Sequence, residues 1–334
     1  SLYYGLVVIG LTKRYGDKTV VDDLSFELQK PGVYALLGTN GAGKTTTIRM
    51  ILGILARDGG QALWNGSPID TATCNVGYLA EERGLYPKYS LMDQLLYFAT
   101  LRGLSKSDAK RRIKELAQRL DVEEYLYPGS APVKFPAFEV KPGARGRAAK
   151  TRSQKPMKAE QLSKGNQQKI QLMIALVSDP ELIILDEPFS GLDPLNTDLF
   201  KSIIREEIAK GKYIIMSSHQ MAAVEEFCTD ITILDRSRAV LQGNLNNIKK
   251  SYGRVNLTLK TEQDITEYIK QSEIEIVSEK EYEYHLKVSG ERQANDFLAR
   301  LIADKVTVIT FDLREPSLHE IFVDIAGGEN HEPA

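Results

Sequence analysis

Apolar positions change their spacing along the chain, and each spacing predicts a different kind of element. In roughly the first eighty residues, short apolar runs alternate with turn residues, as in strands joined by tight turns. We predict strands at 6–11, 24–28, 33–37 and 61–64, interrupted by one helix that starts at Lys44. From about Leu91 to Leu120 the spacing becomes helical, with a second helix start signal at Ser105.

The later part of the chain alternates between helix and strand. Such alternation predicts a parallel sheet covered by helices. We predict helices at 165–177, at 195–209 and from Met221, and strands at 182–185, 213–217 and 231–234. After Gly243 a polar, lysine-containing link leads to a strand, a helix (261–271), two strands, a helix (293–303) and a strand (305–311), an order that indicates a small split-βαβ domain.

Residues 128–160 interrupt these patterns. The stretch is rich in proline and has no sustained apolar period, so it is predicted to be a loop or a flexible insert. It carries eight basic residues against two acidic ones. These charges fit either a solvated loop or a surface for acidic lipid or nucleic acid, and the solvated loop is the simpler interpretation.

The composition is that of an ordinary globular protein. Its 334 residues are enough for two domains, and a net charge of −2 provides no basic field for coating nucleic acid. No apolar run approaches the roughly eighteen residues that cross a bilayer, so we expect neither an integral membrane protein nor a secreted one. Cys74 and Cys228 lack metal-ligand spacing and are predicted to be buried free thiols in a reducing cytosol.

A phosphate-binding loop follows the third predicted strand. The sequence Gly-Thr-Asn-Gly-Ala-Gly-Lys-Thr begins at Gly38 and lies between an apolar strand and a helix. Gly38, Gly41 and Gly43 let successive backbone N–H groups surround an anion. Lys44 would then reach the terminal phosphates, and Thr45 would offer its hydroxyl to Mg²⁺. We therefore predict nucleotide binding rather than a structural turn before a core helix.

Two carboxylates end a later apolar strand. Asp186 and Glu187 follow the run Leu-Ile-Ile-Leu. A carboxylate at the carboxyl end of a buried strand can hold Mg²⁺, and we assign this role to Asp186. Glu187, beside the metal but not consumed as its ligand, can polarise an attacking water. With the phosphate loop upstream, the pair predicts hydrolysis of a nucleotide rather than solvated acids at a strand end.

Ser163 stands directly before a predicted helix and can cap it. Because the segment Leu-Ser-Lys-Gly-Asn-Gln also precedes Asp186 by some twenty residues, it resembles the signature motif of the ATP-binding-cassette (ABC) family. Further segments occur in the order found in that family. Tyr15 resembles its adenine-stacking aromatic residue, and Glu81 occupies its Q-loop position. The segment that ends at Asp193 looks like its D-loop, and His219 looks like its switch histidine.

The resemblance implies a fold and a mechanism. The fold would be α/β, an ABC-type P-loop ATPase with a mixed sheet core and a helical subdomain, followed by a small C-terminal α+β ferredoxin-like domain. Two nucleotide domains would meet head to tail, so that Ser163 and Gly165 serve the partner's ATP. Glu187 would be the general base, His219 would hold the γ-phosphate and the water in line, and Lys44 would neutralise developing charge. The implied ATP contacts are Tyr15, Gly38, Asn40, Gly41, Gly43, Lys44, Thr45, Thr46, Glu81, Ser163, Gly165 and Asp193, and the implied Mg²⁺ ligands are Thr45, Asp186 and Glu81.

The chain departs from the family pattern at three places. Glu81 replaces the usual glutamine and adds a negative charge, and Lys164 stands in the signature where glycine is usual. The basic insert at 128–160 occupies a stretch that is normally short. The serine and the second glycine of the signature survive, so the γ-phosphate contacts are expected to survive as well.

The layout narrows the expected function. We expect a nucleotide-binding domain at 1–245, with a helical subdomain at about 85–165, and an accessory domain at 246–334. Residues 82–87 would line the docking surface for a transmembrane partner, and the tail at 312–322 resembles that of bacterial exporter ATPases, including sodium-extrusion and drug-efflux types.

These expectations combine into a subunit at the cytoplasmic face of the membrane, peripheral to it, that powers export by a separate transmembrane permease. Its nucleotide domains would form a homodimer or a heterodimer, contact with the membrane would be indirect, and no nucleic acid is expected. The alternative is a non-transport ABC ATPase that acts as a regulatory switch or as a switch associated with ribosomes or nucleic acid.

Overall fold

The structure is a computed structural model that describes residues 4–72, 74–82, 84–128 and 157–328. Most of the predicted insert at 128–160 therefore lies outside the described residues. The described chain forms two compact units. The first contains the residues up to His219 together with Arg236–Arg238, and the second contains Gln220–Asp235 and the residues from Ala239 onward.

An antiparallel sheet of three strands forms one part of the first unit. It consists of β1 (Leu6–Tyr15), β2 (Lys18–Leu28) and β4 (Gly59–Trp64), with β1 in the middle. Where β4 pairs with β1, a Cβ atom on Gly60 would lie 2.3 Å from backbone atoms of Gly10, so this close approach of the two backbones requires glycine. The four strands predicted in the first eighty residues are confirmed, and each is longer in the structure than predicted.

A parallel sheet forms the other part. Its strands in this unit are β3 (Gly32–Leu37), β5 (Val76–Leu79), β6 (Leu182–Asp186) and β7 (Tyr213–Ser218), in the order β5-β6-β7-β3. Every residue of β3, β6 and β7 is buried, as expected for continuous apolar runs in a parallel sheet. Strand β5 was not predicted, because its run of four residues includes a glycine and is too short to show a period. All four carboxyl ends meet at one edge of the sheet.

The helices of the first unit begin where the sequence provides capping residues. The side chain of Ser105 accepts a hydrogen bond from the backbone N–H of Asp108, and Ser163 accepts one from Asn166. The predicted helices are confirmed. They are α1 (Lys44–Ile51), α2 (Leu91–Leu101), α3 (Lys106–Leu120), α5 (Lys164–Leu176) and α6 (Pro194–Ala209). Two short elements were not predicted, namely α4 (Glu123–Leu126) and a 3₁₀ helix at Ala159–Gln161.

The second unit begins with α7 (Met221–Glu225), β8 (Asp230–Asp235), β9 (Arg238–Asn244) and α8 (Leu245–Tyr252). The polar stretch after Gly243, predicted to be a link, forms helix α8. The side chain of Asn244 caps this helix by accepting a hydrogen bond from the backbone N–H of Asn247 at 3.0 Å. Leu245, Ile248 and Tyr252 are spaced three and four residues apart, so the sequence carried a helical period as well as this cap, and the prediction of a link overlooked both.

The rest of the second unit is a sheet with two helices and a closing helix. Its elements are β10 (Asn256–Thr261), α9 (Thr266–Gln271), β11 (Glu275–Lys280), β12 (Glu283–Lys287), α10 (Glu291–Ala303), β13 (Val308–Arg314) and α11 (Leu318–Gly328). The sheet is antiparallel in the order β11-β12-β10-β13, which confirms the predicted βαββαβ arrangement. Its core includes Leu259, Tyr284 and Phe297.

Candidate functional site

The glycine-rich loop joins β3 to α1 and surrounds the side chain of Lys44. Nζ of Lys44 donates hydrogen bonds to the carbonyl oxygens of Gly38, at 2.6 Å, and Thr39, at 3.1 Å. Gly43 adopts a φ of 106°, and a Cβ atom there would lie 2.8 Å from the carbonyl oxygen of Val20. Only glycine fits this position without strain, so the loop path depends on it.

Helix α1 begins at the end of this loop, and its first residues face the two acidic strand ends. Oγ1 of Thr45 donates to Oδ2 of Asp186 at 2.8 Å and lies 3.3 Å from Oε2 of Glu81. Asp186 ends β6, whereas Glu81 follows β5, the neighbouring strand. Three oxygen-bearing side chains from distant parts of the sequence therefore converge at one edge of the parallel sheet.

Asp186 is buried and held by hydroxyl groups. The hydroxyl of Ser217 donates to its Oδ1, while Thr45 donates to its Oδ2. Burial raises the pKa of Asp186 above its usual value, and the two hydroxyl donors act in the opposite direction. A hard cation at this carboxylate would favour its charged form.

Glu187 lies between a lysine and a histidine. Its Oε1 is 3.4 Å from Nζ of Lys44 and 2.9 Å from Nδ1 of His219, and only 3% of its side chain is exposed. Its backbone N–H donates to Oγ of Ser217 at 3.0 Å, and its φ of 50° lies in the left-handed region. A non-glycine residue in that region is uncommon and is typical of functional sites.

A small cavity lies in front of these groups. It has a volume of about 140 Å³ and opens against the glycine-rich loop. The sequence-predicted residues that line it are Asn40, Gly41, Gly43, Lys44, Thr45, Thr46, Glu81 and Glu187. Backbone N–H groups, a helix N-terminus and an ammonium group on one side, with a carboxylate on the other, can bind a phosphate chain and activate water beside it.

Seven predicted site residues do not line this cavity in the described part of the chain. Gly38, Asp186 and His219 instead form hydrogen bonds with Lys44, Thr45 and Glu187, which do line it. The other four are Tyr15, Ser163, Gly165 and Asp193. Tyr15 is 55% exposed at the end of β1, where Nζ of Lys13 lies 5.0 Å from its ring centroid. Ser163 and Gly165 lie at the start of α5, and Asp193 caps α6 by accepting from the backbone N–H of Asn196.

Ser217 was not singled out by sequence analysis. It is fully buried, it donates to Asp186, and it accepts from the backbone of Glu187. The signal for it was available only in the register of β6 and β7, where Asp186 pairs with Ser217. A serine within a strand has no motif of its own, so its role depends on strand order.

The fold and the site define the class of the protein as an α/β nucleotide hydrolase with a phosphate-binding loop. The family described as ABC transporter matches residues 21–190, and the family described as ATP-binding protein DrrA1-3-like, C-terminal domain, matches residues 243–326. The chain belongs to the ABC transporter ATP-binding proteins, a family that binds and hydrolyses ATP. The resemblance and the fold class predicted from the sequence are therefore confirmed.

Similar proteins cover most of the chain. The ABC transporter ATP-binding protein YhaQ of Bacillus subtilis (strain 168) is 38% identical over 96% of this chain and 98% of its own length. The Nod factor export ATP-binding protein I of Paraburkholderia xenovorans (strain LB400) is 33% identical over 69% of this chain and 68% of its own length. A solved ATP-binding subunit of an ABC transporter superposes with a TM-score of 0.60 at 28% identity, over 74% of this chain and 92% of that one.

Among the residues that the structure describes, no helix has the length and apolar character to cross a bilayer.

Proposed function

We propose that this protein is the ATP-hydrolysing subunit of an exporter and that it powers a separate transmembrane permease. The observation that carries the proposal is the position of Glu187, whose carboxylate lies within 3.4 Å of Lys44 and 2.9 Å of His219. A carboxylate held between a phosphate-binding lysine and a histidine ring can act as a general base, so the site is suited to hydrolysing ATP as well as to binding it.

The reaction follows from these positions. The backbone N–H groups of the loop and the ammonium group of Lys44 bind the β- and γ-phosphates of ATP. Glu187 accepts a proton from a water, the water oxygen bonds to the γ-phosphorus, and the bond between that phosphorus and the bridging oxygen of ADP breaks. His219 orients the γ-phosphate and the water, and Lys44 stabilises the charge on the transferring group.

The residues at the strand ends fit Mg²⁺. Thr45, Asp186 and Glu81 offer oxygen atoms, which are the ligands that Mg²⁺ prefers. Among the described residues, no group of three or more His, Cys, Asp and Glu side chains could hold a metal by itself. Mg²⁺ is usually bound by one or two carboxylates together with the phosphates of a nucleotide. The ion would neutralise phosphate charge.

Two nucleotide domains would cooperate head to tail. Ser163 and Gly165 start α5 and do not line the described cavity at their own phosphate loop. Their donors and the N-terminus of α5 would complete the γ-phosphate site of a second nucleotide domain, identical or paralogous, with Asp193 beside them. Tyr15, exposed at the end of β1, would stack on the adenine.

The direction of transport is inferred from similarity. A relative that covers about two thirds of this chain carries the name Nod factor export ATP-binding protein, and the C-terminal part matches a DrrA-like domain. We assign residues 1–245 to nucleotide binding and 246–334 to an accessory domain. Docking on the permease would place the chain peripherally at the cytoplasmic face of the membrane.

The test is to isolate the protein in an ATP-bound state with its partners. A tagged Glu187→Gln variant, expressed in its native host, is pulled from gently solubilised membranes in Mg²⁺ and ATP, and co-purifying chains are identified by mass. We expect a stoichiometric multi-span membrane protein. The matched control carries Lys44→Ala as well and should lose ATP-dependent pairing of nucleotide domains. Recovery away from the membrane, with ribosomes or nucleic acid, would instead support a non-transport ABC ATPase.

A further inference from the structure

The side chain of Lys13 covers one face of the Tyr15 ring. Its Nζ lies 5.0 Å from the ring centroid, inside the roughly 6 Å within which a cation and an aromatic ring attract each other. The two residues occupy alternate positions of β1, and side chains at alternate positions of a strand lie on the same face. The strand therefore brings the ammonium group and the ring together.

A second segment of the chain holds the ammonium group of Lys13 in this place. Its Nζ donates a hydrogen bond to the carbonyl oxygen of Ala56 at 2.8 Å and lies 4.0 Å from Oδ2 of Asp58. The carboxylate of Asp58 accepts from the backbone N–H of Arg14 at 2.6 Å, and its own backbone N–H donates to the carbonyl oxygen of Thr12 at 2.9 Å. Only 12% of the Lys13 side chain is exposed, so this cation is a fixed feature of the fold.

The rest of the Tyr15 ring is open to a ligand. Tyr15 is 55% exposed although Lys13 covers one of its faces, and no other aromatic ring stacks on it among the residues that the structure describes. A cation on one face draws the π electrons toward itself, which disfavours a second cation on the opposite face. A neutral aromatic ring meets no such repulsion, and the base of a nucleotide is a ring of this kind.

The ring lies at the end of the hairpin that borders the cavity at the phosphate loop. Tyr15 pairs with Lys18, and Val20, two residues further along β2, lines that cavity. Val20 is the extra residue of a β-bulge, because the pairing with β1 passes from Val21 directly to Thr19. Bulges redirect side chains next to active sites. The hairpin therefore connects the aromatic ring to the site where the phosphates of a nucleotide would bind.

We propose that Lys13 is a positioning residue that holds the Tyr15 ring for stacking on the base of ATP. The inference rests on the proposed role of Tyr15 in binding adenine. An exposed side chain loses rotamer freedom when a ligand orders it, and a ring that is already held loses less. In the described part of the chain Lys13 does not line the cavity at the phosphate loop, so it contributes to ATP affinity and not to the hydrolytic step.

The experiment replaces Lys13 with methionine, which keeps the aliphatic stem and removes the cation. For Lys13→Met we expect KM for ATP to rise about two- to fivefold, the factor that corresponds to one cation–π contact at an exposed site, while kcat stays unchanged. Arg14→Met is the matched control, because it removes one positive charge at the next, exposed position of β1, on the opposite face of the strand. It should change neither quantity.

Inorganic tripolyphosphate separates positioning of the base from a general effect of charge or folding. It has the phosphate chain of ATP without the base, so its Ki as a competitive inhibitor of hydrolysis should be the same in Lys13→Met and in the wild type. Lys13→Arg, whose guanidinium group also stacks on aromatic rings, should keep the wild-type KM. A Ki that rises by the same factor as KM would overturn the proposal.

A double variant tests whether Lys13 acts through the ring. In a Tyr15→Leu background, Lys13→Met should cause no further rise in KM. A further rise by the factor seen in the wild-type background would overturn the proposal, because Lys13 would then act independently of Tyr15.

The outcomes also distinguish this inference from the proposed function. If Tyr15→Leu alone leaves KM for ATP unchanged, the adenine-stacking role fails and the role of Lys13 fails with it, whereas hydrolysis at Glu187 is judged separately by Glu187→Gln. If Tyr15→Leu raises KM and Lys13→Met does not, only the role of Lys13 fails.

Discussion

Nζ of Lys44 lies 3.4 Å from Oε1 of Glu187, and both side chains are almost completely buried. The pair joins the phosphate loop to the end of β6, across 143 residues of sequence. Burying two charges is costly unless they are paired, so each side chain depends on the other for its stability and its position. The same two atoms would meet the γ-phosphate and the attacking water.

Replacing Lys44 should affect binding and stability together. Lys44→Ala removes a charged donor to phosphate and leaves the carboxylate of Glu187 without its buried cation. We expect nucleotide affinity to fall roughly 100-fold, and the free energy of unfolding to fall by about 3 kcal/mol. Fluorescent-nucleotide titration and urea unfolding measure the two effects. Lys114→Ala, at an exposed position of α3, should change neither.

Replacing Glu187 should separate binding from turnover. In Glu187→Gln we expect nucleotide binding to be retained while kcat falls by roughly 10²- to 10⁴-fold, because the amide cannot accept the proton of the water. In the double variant with Lys44→Ala, the loss of stability should be smaller than the sum of the two single losses, because the unpaired buried charge is gone. Wild-type hydrolysis in Glu187→Gln would refute the assignment.

Ser217 is predicted to support both acidic residues. Its hydroxyl donates to Asp186 and accepts from the backbone of Glu187, so Ser217→Ala leaves a buried N–H and a buried carboxylate less satisfied. We expect a loss of about 1–3 kcal/mol in unfolding free energy and a lower kcat. Ser251→Ala, which removes an exposed hydroxyl on α8, is the control in thermal unfolding and ATPase assays. Equal behaviour of the two variants would contradict the prediction.

One surface ion pair should give stability a defined pH dependence. The hydrogen bond from Lys212 to Asp179, at 2.8 Å, lowers the pKa of Asp179 below its usual value. A carboxyl whose folded-state pKa is lowered stabilises the fold above its unfolded pKa, and this contribution is lost as the pH falls through the folded value.

Because Asp179 is largely exposed, we expect Asp179→Asn to cost only about 0.5 kcal/mol at pH 7, with the difference from wild type vanishing in strong acid. Urea unfolding between pH 7 and pH 2 measures it. Asp198→Asn, at an exposed position on α6, is the matched control. A difference that persists unchanged at the lowest pH would show that the charge is not its source.

The two cysteines should react at different rates. Burial raises the pKa of the Cys228 thiol to about 12, whereas Cys74 is half-buried. Since the thiolate is the reactive form, we expect iodoacetamide at pH 8 to label Cys74 first and Cys228 only after unfolding. Mass spectrometry of peptides from the native and the urea-unfolded protein measures the order. Early labelling of Cys228 would contradict its burial.

Local patterns were sufficient for most of the elements. The strands β3, β6 and β7 are continuous apolar runs bounded by turn residues. Such runs are typical of strands that are buried on both faces of a parallel sheet. The helices at Ser105 and Ser163 begin where a serine can accept a backbone hydrogen bond. Strand β5 escaped prediction because its run is too short to show a period. Helix α8 was missed because polar residues surround the helically spaced Leu245, Ile248 and Tyr252.

Much of the candidate site could also be predicted. The loop from Gly38 to Thr45 and the pair Asp186 and Glu187 carry their chemistry in their residue types and in the elements beside them. The sequence alone therefore determined that the chain binds and hydrolyses a nucleotide, and the order of its motifs identified the family. The roles proposed for individual residues still await the experiments above.

Tertiary structure alone decided which distant side chains meet. Ser217 serves Asp186 and Glu187 because β6 and β7 pair in parallel register, and Glu81 lies near Asp186 because β5 pairs with β6 in the same sheet. Hydrophobic spacing and capping are local properties that the chain carries at each position. Strand order and register are set by contacts between segments far apart in sequence, so they exist only once the chain has folded.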